Sequence, residues 1–141
     1  MARCGVLRAD QVVVNKSRRE LLLLRGNVIL RQYRIALGRD PIGHKQCEGD
    51  GRTPEGRYTI DRRNPKSKYF LSLHISYPNS DDVARAQAAF VEPGGDIMIH
   101  GLKDGELRDG DWTQGCIAVT NEEMEEIWGL VPDGTTIVIE P

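Results

Sequence analysis

The first third of the chain shows the period-two alternation of apolar and polar residues that is typical of half-buried β-strands. Residues 12–14 are valines, residues 20–24 are mostly leucine, and residues 25–27 supply turn residues before the segment 28–37. In that segment large apolar residues recur at even spacing: Ile29, Tyr33, Ile35 and Leu37. The pattern predicts a hairpin or meander with one face buried.

The pattern then breaks and resumes. Residues 38–56 are rich in glycine and poor in large apolar residues, which predicts a long irregular loop, and a loop of that length in a compact domain is usually functional. Residues 58–60 and 71–77 are predicted strands, separated by a polar, proline-containing link at 62–68.

Two helices are predicted in the second half. Ser80 is the expected N-cap of the first, which is Ala-rich and runs over 83–90. Thr120 and Glu123 fit a capping box for the second, in which apolar residues lie at helical spacing. Residues 97–99 predict a short buried strand that leads into His100, and residues 135–139 predict a final strand.

Composition favours one soluble globular domain over residues 1–141, since 39% of the residues are hydrophobic and 28% are charged. The longest apolar run, 21–24, is too short to span a membrane. The net charge of -2 divides into +9 over residues 1–70 and -11 over residues 71–141. The basic residues never form a run longer than two and the pI is about 5.9, so nucleic-acid binding is disfavoured and two compensating halves of one fold are expected.

Three cysteines, Cys4, Cys47 and Cys116, leave at least one thiol free. No apolar stretch follows the first residues, so we expect no secretory signal in this chain. The chain is then either cytoplasmic or an exported protein whose leader is not included.

Cys116 and His100 are the residues best suited to chemistry. Gly115 before the thiol allows close backbone approach, and the Cys116 amide could stabilise an oxyanion. A thiol becomes a good nucleophile when an imidazole takes its proton, so the pair suggests a Cys-His acyl-transfer site. From spacing alone, a buried structural cysteine is the commoner outcome.

Two motifs in order resemble the signature of the L,D-transpeptidase catalytic domain, the YkuD family. The sequence IHG at 99–101, followed after a Gly/Asp-rich loop by TQGCI at 113–117, is similar to that family's HG and S-x-G-C-I/V pattern. RTPEG at 52–56 is similar to its T-P-x-G segment. The resemblance covers nearly the whole chain and implies a mainly β fold, an L,D-transpeptidase-like β-sandwich with one or two helices.

The resemblance implies a mechanism on peptidoglycan stem peptides. Cys116 would attack a stem carbonyl, release the terminal D-alanine and leave a thioester. His100 would be the general base, the Gly101 carbonyl would orient its imidazole, and the amides of Gly115 and Cys116 would form the oxyanion hole. No cofactor or metal is implied, carbapenems are expected inhibitors, and the substrate implies the cell envelope. The oligomeric state stays open.

The predicted substrate-binding residues are Arg52, Trp112, Thr113 and Gln114. Arg52 could pair with a stem carboxylate or be a solvated loop residue, and Trp112 could line the cleft or cover the core. Many family members have Ser and His at 113 and 114, and Arg or Asn where this chain has Ala118. The acceptor is therefore left open between a diaminopimelate amine, which gives cross-links or attaches proteins to the wall, and water, which gives a carboxypeptidase or amidase.

Other interpretations remain. His44 and Cys47, with His100 and Cys116, could form a His2Cys2 zinc set, although Cys47 is better explained as an incidental loop thiol. His74 is expected to be a packed or surface residue. A wall-binding module without catalytic activity, with Cys116 as a core residue, is the alternative outside the enzyme class.

Overall fold

The computed structural model describes residues 7–141, so Cys4 lies outside the described residues. In chain order the elements are β1 (Gln11–Asn15), β2 (Glu20–Arg25), β3 (Val28–Arg34), β4 (Gly56–Ser67), β5 (Phe70–Ile75), α1 (Ser80–Ala88), β6 (Met98–His100), a 3₁₀ turn (Lys103–Gly105), β7 (Ile117–Ala118), α2 (Asn121–Leu130) and β8 (Thr136–Glu140). The predicted mainly β fold with two helices is confirmed.

Eight strands form one curled sheet in the order β3-β2-β1-β8-β4-β5-β6-β7. The pairs β1–β8 and β6–β7 are parallel, and the other pairs are antiparallel. Residues 56–59 of β4 pair with β8 and residues 60–67 pair with β5, so β4 joins both halves of the sheet. After β3, Ala36 bridges to Ala118 in β7, which brings the two ends of the sheet together.

The core lies between the halves of this sheet and α2. Strands β1, β2 and β8 alternate buried and half-buried positions, as the period-two pattern predicts. Helix α2 buries Met124 and Ile127, and its predicted capping box between Thr120 and Glu123 is present. Packing of α2 against β5 and β6 fixes the strand that carries His100.

Three local predictions are wrong. The link predicted at 62–68 is mostly strand, because pairing with β5 satisfies the backbone while register shifts on both sides accommodate the irregular segment. Ile29 is 55% exposed, because β3 is an edge strand and its register with β2 shifts at Leu23/Leu24. The N-cap of α1 is Asn79 instead of Ser80, since the Asn79 side chain accepts from the amide of Asp82.

The oppositely charged halves of the chain meet in ion pairs. Arg19 binds Asp111 at 2.8 Å, and Arg63 binds Asp133 at 2.8 Å. Neither helix described in residues 7–141 has the length and hydropathy needed to span a bilayer.

A buried lysine anchors the loop of residues 38–56. Lys16 is 2% exposed, and its Nζ donates to the carbonyls of Gly43 (2.9 Å) and Thr53 (2.7 Å) and pairs with Glu55 at 3.1 Å. Thr53, fully buried, also accepts the amide of Gly38 at 3.3 Å. The segment resembling T-P-x-G is therefore tied to the turn after β1.

Candidate active site

One cleft of about 410 Å³ brings together most of the sequence-predicted site residues. Its lining residues are Arg39, Tyr69, His100, Arg108, Trp112, Thr113, Gln114 and Cys116. His100 ends β6, and the turn 113–116 leads directly into the neighbouring strand β7. The parallel pairing of β6 and β7 is thus what places the imidazole and the thiol in one cleft.

His100 is held as a neutral base. Its Nδ1 lies 2.7 Å from the carbonyl oxygen of Gly101, which can only accept, so Nδ1 carries the proton and Nε2 keeps its lone pair. Burial of the ring lowers the pKa of His100 below its usual value, and the hydrogen bond to Gly101 offsets this in part. At neutral pH the imidazole is uncharged and able to take a proton.

Position 101 leaves little room for a side chain. A Cβ there would lie 3.1 Å from the Tyr69 carbonyl and would overlap the Asn121 side chain. Asn121 Oδ1 accepts the amide of Leu102 at 2.6 Å, so the first residue of α2 holds the chain that leaves the histidine.

Two aromatic rings enclose the imidazole. The ring of Tyr69 stacks on His100 with centroids 4.4 Å apart and an interplanar angle of 23°. The centroid of Trp112 lies 5.8 Å from His100 and 5.9 Å from Tyr69. Sequence reasoning missed Tyr69, because it reaches the site from the turn between β4 and β5 and belongs to no recognised motif.

Thr113 braces the turn that carries the thiol. Its hydroxyl donates to the carbonyl of Cys116 at 2.7 Å and accepts the amide of Gly115 at 3.1 Å. Its main chain is bound on both sides, donating to Leu37 (3.1 Å) and accepting from Arg39 (3.0 Å). The turn is therefore fixed both internally and against the chain that follows β3.

Gly115 allows the 38–56 loop to approach this turn closely. Its φ is +134°, and a Cβ would lie 2.7 Å from the carbonyl oxygen of Arg52. The Gly115 amide already donates a hydrogen bond to the Thr113 hydroxyl. For the predicted oxyanion role this amide would have to donate to the oxyanion instead. The amide of Cys116 has no acceptor within residues 7–141 and is free for a ligand.

The thiol of Cys116 rests protonated. Its Sγ–H donates to the carbonyl of Asp96 at 3.2 Å, and the cysteine is half-buried. Burial raises the pKa of Cys116 to about 11, although a hydrogen bond from the Met98 amide opposes the rise. Thiol and imidazole are both neutral in the free protein, so a thiolate forms at Cys116 only when a base takes its proton.

Arg52, a predicted substrate-binding residue, does not line the cleft. Its Nε pairs with Asp40 at 3.4 Å, and its side chain is not among those that line the cleft. The part of Arg52 nearest the thiol turn is its carbonyl, which faces Gly115. A role in binding substrate remains a prediction for this residue.

The remaining candidates lie apart from the cleft. His44 donates from Nε2 to Asp82 at 2.7 Å and accepts the Glu55 amide at Nδ1, so both of its nitrogens are engaged. His74 binds Asp61 at 2.6 Å, and Cys47 is a free thiol. Within residues 7–141 no three potential ligands cluster to hold a metal ion, so His44 and Cys47 do not join His100 in a zinc set.

Two arginines line the cleft that no motif indicated. Arg39 follows the Gly38–Thr113 bridge, and the Arg108 guanidinium lies over the Trp112 ring at 4.6 Å from its centroid. The two arginines come together because the chain after β3 contacts the segment 103–113. No local sequence pattern predicts this contact.

Residues 9–139 match the family model of the L,D-transpeptidase catalytic domain, YkuD. YafK of Escherichia coli K12, named as a candidate L,D-transpeptidase, is 33% identical over 106 residues, which cover 73% of this chain and 37% of YafK. The crystal structure of Pgp2, a helical cell shape determining protein from Campylobacter jejuni, aligns with a TM-score of 0.74 and 29% identity over 92% of this chain and 46% of that chain. The L,D-transpeptidase of Enterococcus faecium shares the fold, with a TM-score of 0.63 and 13% identity over 94% of this chain and 50% of that chain. The chain thus spans less than half the length of YafK and of the Pgp2 chain.

Proposed function

The chain belongs to the L,D-transpeptidase catalytic-domain family, and we propose that it is a cysteine acyltransferase that acts on peptidoglycan stem peptides through a thioester on Cys116. The observation that carries the proposal is the shared cleft of His100 and Cys116, in which the imidazole presents a free Nε2 lone pair. Because peptidoglycan lies outside the cytoplasm, the proposed site of action is the cell envelope.

In the first step Nε2 of His100 takes the thiol proton, and Sγ of Cys116 attacks the carbonyl carbon that precedes the terminal D-alanine. The Cys116 amide stabilises the oxyanion. The C–N bond then breaks, the proton passes from His100 to the leaving amine, and D-alanine departs while the stem remains as a thioester.

In the second step an acceptor attacks the thioester carbon. His100 takes the acceptor's proton and returns it to sulfur as the C–S bond breaks. A diaminopimelate amine as acceptor gives a cross-link, and water gives a shortened stem with a new carboxylate. Gln114 cannot titrate and Ala118 offers no polar group beside the site, and these two features favour water as the second candidate acceptor.

A role in cell shape is part of the proposal. Pgp2, which shares 29% of its aligned residues with this chain, is described as a helical cell shape determining protein. Changing the cross-links or the length of wall stems is the activity by which a protein of this kind would alter cell shape.

The test is formation of an acyl-enzyme. The protein is incubated with a carbapenem and analysed by intact mass and peptide mapping, with expected addition of one carbapenem at Cys116. Cys116→Ala should lose the adduct and all activity on muropeptides, while Cys47→Ala serves as the matched thiol control. If the unmodified protein formed no adduct and had no activity, the wall-binding module would be favoured. Full activity in Cys116→Ala would refute the thioester on Cys116.

The products identify the acceptor. Muropeptide analysis after incubation with tetrapeptide stems should show cross-linked dimers if an amine accepts the acyl group. Shortened stems alone would assign hydrolysis.

A further inference from the structure

The walls of the cleft carry two positive charges. Arg39 and Arg108 are the charged side chains among its lining residues, and no carboxylate of residues 7–141 lines it. This contrasts with the segment around the site, where residues 71–141 carry a charge of -11. The cleft is therefore locally matched to an anion within an acidic half of the chain.

The backbone of Arg39 is locked beside the nucleophile. Its amide donates to the carbonyl of Thr113 at 3.0 Å, and the preceding Gly38 forms a parallel bridge to Thr113. The neighbouring Asp40 does not neutralise it, because Asp40 pairs with Arg52. Within residues 7–141 no carboxylate forms an ion pair with Arg39.

Arg108, the second arginine of the cleft, is restrained by an aromatic ring. Its guanidinium lies 4.6 Å from the centroid of the Trp112 ring, an attraction that restrains a long side chain. The nearby Asp111 is engaged by Arg19, with Nη2 to Oδ2 at 2.8 Å, and by the amide of Leu37 at 3.1 Å. In the described part of the chain Arg108 likewise has no carboxylate partner.

We propose that Arg39 and Arg108 form a carboxylate-binding pair that recognises the free carboxylate of the stem peptide during acylation. The inference rests on the proposed function and extends it to substrate recognition. A guanidinium presents a planar fork of donors that fits a carboxylate, and such charge-assisted hydrogen bonds are about twice as strong as those between neutral groups.

Peptide geometry places a carboxylate within reach. The C-terminal carboxylate of a stem lies one residue beyond the attacked carbonyl, and one residue extends by about 3.3–3.6 Å. With the attacked carbon at Cys116, this carboxylate stays inside the cleft that both arginines line. The second available carboxylate, on the side chain of diaminopimelate, has the same chemistry and is separated from the first by the test.

The test compares a stem peptide with two derivatives, each of which lacks the charge of one carboxylate. They are a tetrapeptide stem ending in diaminopimelyl-D-alanine, the same stem ending in D-alaninamide, and the same stem amidated on the diaminopimelate side-chain carboxylate. The measured quantity is kcat/KM for release of the terminal residue. Each is assayed with the unmodified protein, Arg39→Gln, Arg108→Gln, the double variant, and Arg57→Gln, which changes an exposed arginine outside the cleft.

The unmodified protein should prefer the free stem over the D-alaninamide stem by about 10- to 100-fold. The double variant should lose activity on the free stem and treat both substrates alike, while Arg57→Gln keeps the preference. Arg39→Lys retains the positive charge but not the planar guanidinium, so it should keep more of the preference for the free stem than Arg39→Gln does. A preference that instead follows amidation of diaminopimelate assigns the pair to that carboxylate.

Loss of activity that is equal on all three substrates, or an unmodified protein that does not discriminate, would overturn the proposal. Failure of the proposed function is recognised separately, as no release from any substrate and no carbapenem adduct. In that case the dissociation constants of the three peptides for Cys116→Ala, with and without the two arginine substitutions, still decide the matter. Tighter binding of the free stem, lost in the double variant, supports the pair, and equal binding refutes it.

Discussion

Replacing Thr113 with valine removes the hydroxyl that holds the thiol turn and keeps the side-chain volume. The hydroxyl makes two hydrogen bonds, to the Cys116 carbonyl and from the Gly115 amide, and Thr113 is 3% exposed, so water does not readily replace it. A hydrogen bond contributes about 1 kcal/mol, and each buried group left without a partner costs about 1–3 kcal/mol. We expect the free energy of unfolding to fall by about 2–4 kcal/mol, and kcat/KM on stem peptides to fall at least about tenfold because the turn positions the nucleophile.

The measurement is urea unfolding followed by circular dichroism, together with kcat/KM. Thr113→Ser is the matched control, since it retains the hydroxyl and loses one methyl group. We expect it to retain most of the stability and activity. The reasoning is refuted if Thr113→Val and Thr113→Ser unfold within about 0.5 kcal/mol of each other, because the hydroxyl would then contribute little.

Three further predictions concern the loop anchor, the histidine and the thiol. Lys16→Met should lower the free energy of unfolding by about 3 kcal/mol, because it leaves two carbonyls and a carboxylate without their buried partner, whereas the exposed Lys66→Met should change it by less than about 0.5 kcal/mol in urea unfolding. Tyr69→Leu should lower kcat/KM and move its acid limb to higher pH, because a smaller side chain leaves the His100 ring less buried and burial is what lowers the pKa of His100. Tyr69→Phe should restore both, and identical pH profiles for the two variants would contradict this role. Because burial raises the pKa of Cys116 to about 11, alkylation of the free protein by iodoacetamide should rise about tenfold per pH unit up to that pH, and a plateau below pH 9 would show an already activated thiol.

The sequence predicts the elements whose signals are local. The valine run at 12–14 forms β1, and Thr120 with Glu123 caps α2 as the spacing requires. The short apolar segment that leads into His100 forms β6. In each of these elements the residue types that favour a strand or a helix cap lie within a few positions of one another, so the local pattern carries the information.

The predictions that fail depend on how the strands pair, which the hydrophobic pattern of a single segment does not record. Residues 62–67 are polar and contain a proline, but pairing with β5 makes them strand. Ile29 has the spacing of a buried residue and is exposed, because its strand lies at the edge of the sheet with a shifted register. No local pattern records which strand is at an edge.

The candidate site likewise contains residues that sequence motifs predict and residues that only the fold brings to the cleft. The motifs predict His100 and Cys116 for one site, and they share a cleft. Tyr69 reaches this cleft from the turn after β4 and stacks on His100. Arg39 reaches it because its backbone is hydrogen-bonded to Thr113. Arg52, which a motif indicated, is engaged with an aspartate instead of lining the cleft, because the loop presents its carbonyl to the thiol turn.

The position of β8 has a consequence for synthesis on the ribosome. It is the last strand of the sheet in chain order, yet it lies in the middle, between β1 and β4, with Val12 opposite Ile137. The first three strands therefore have no partner on one side until more than a hundred further residues have been translated. Contacts of such wide sequence separation slow folding, and open strand edges favour aggregation in the meantime. A chain that stops before residue 136 lacks the strand that pairs with both β1 and β4, so the nascent protein cannot complete its sheet until translation has passed that strand.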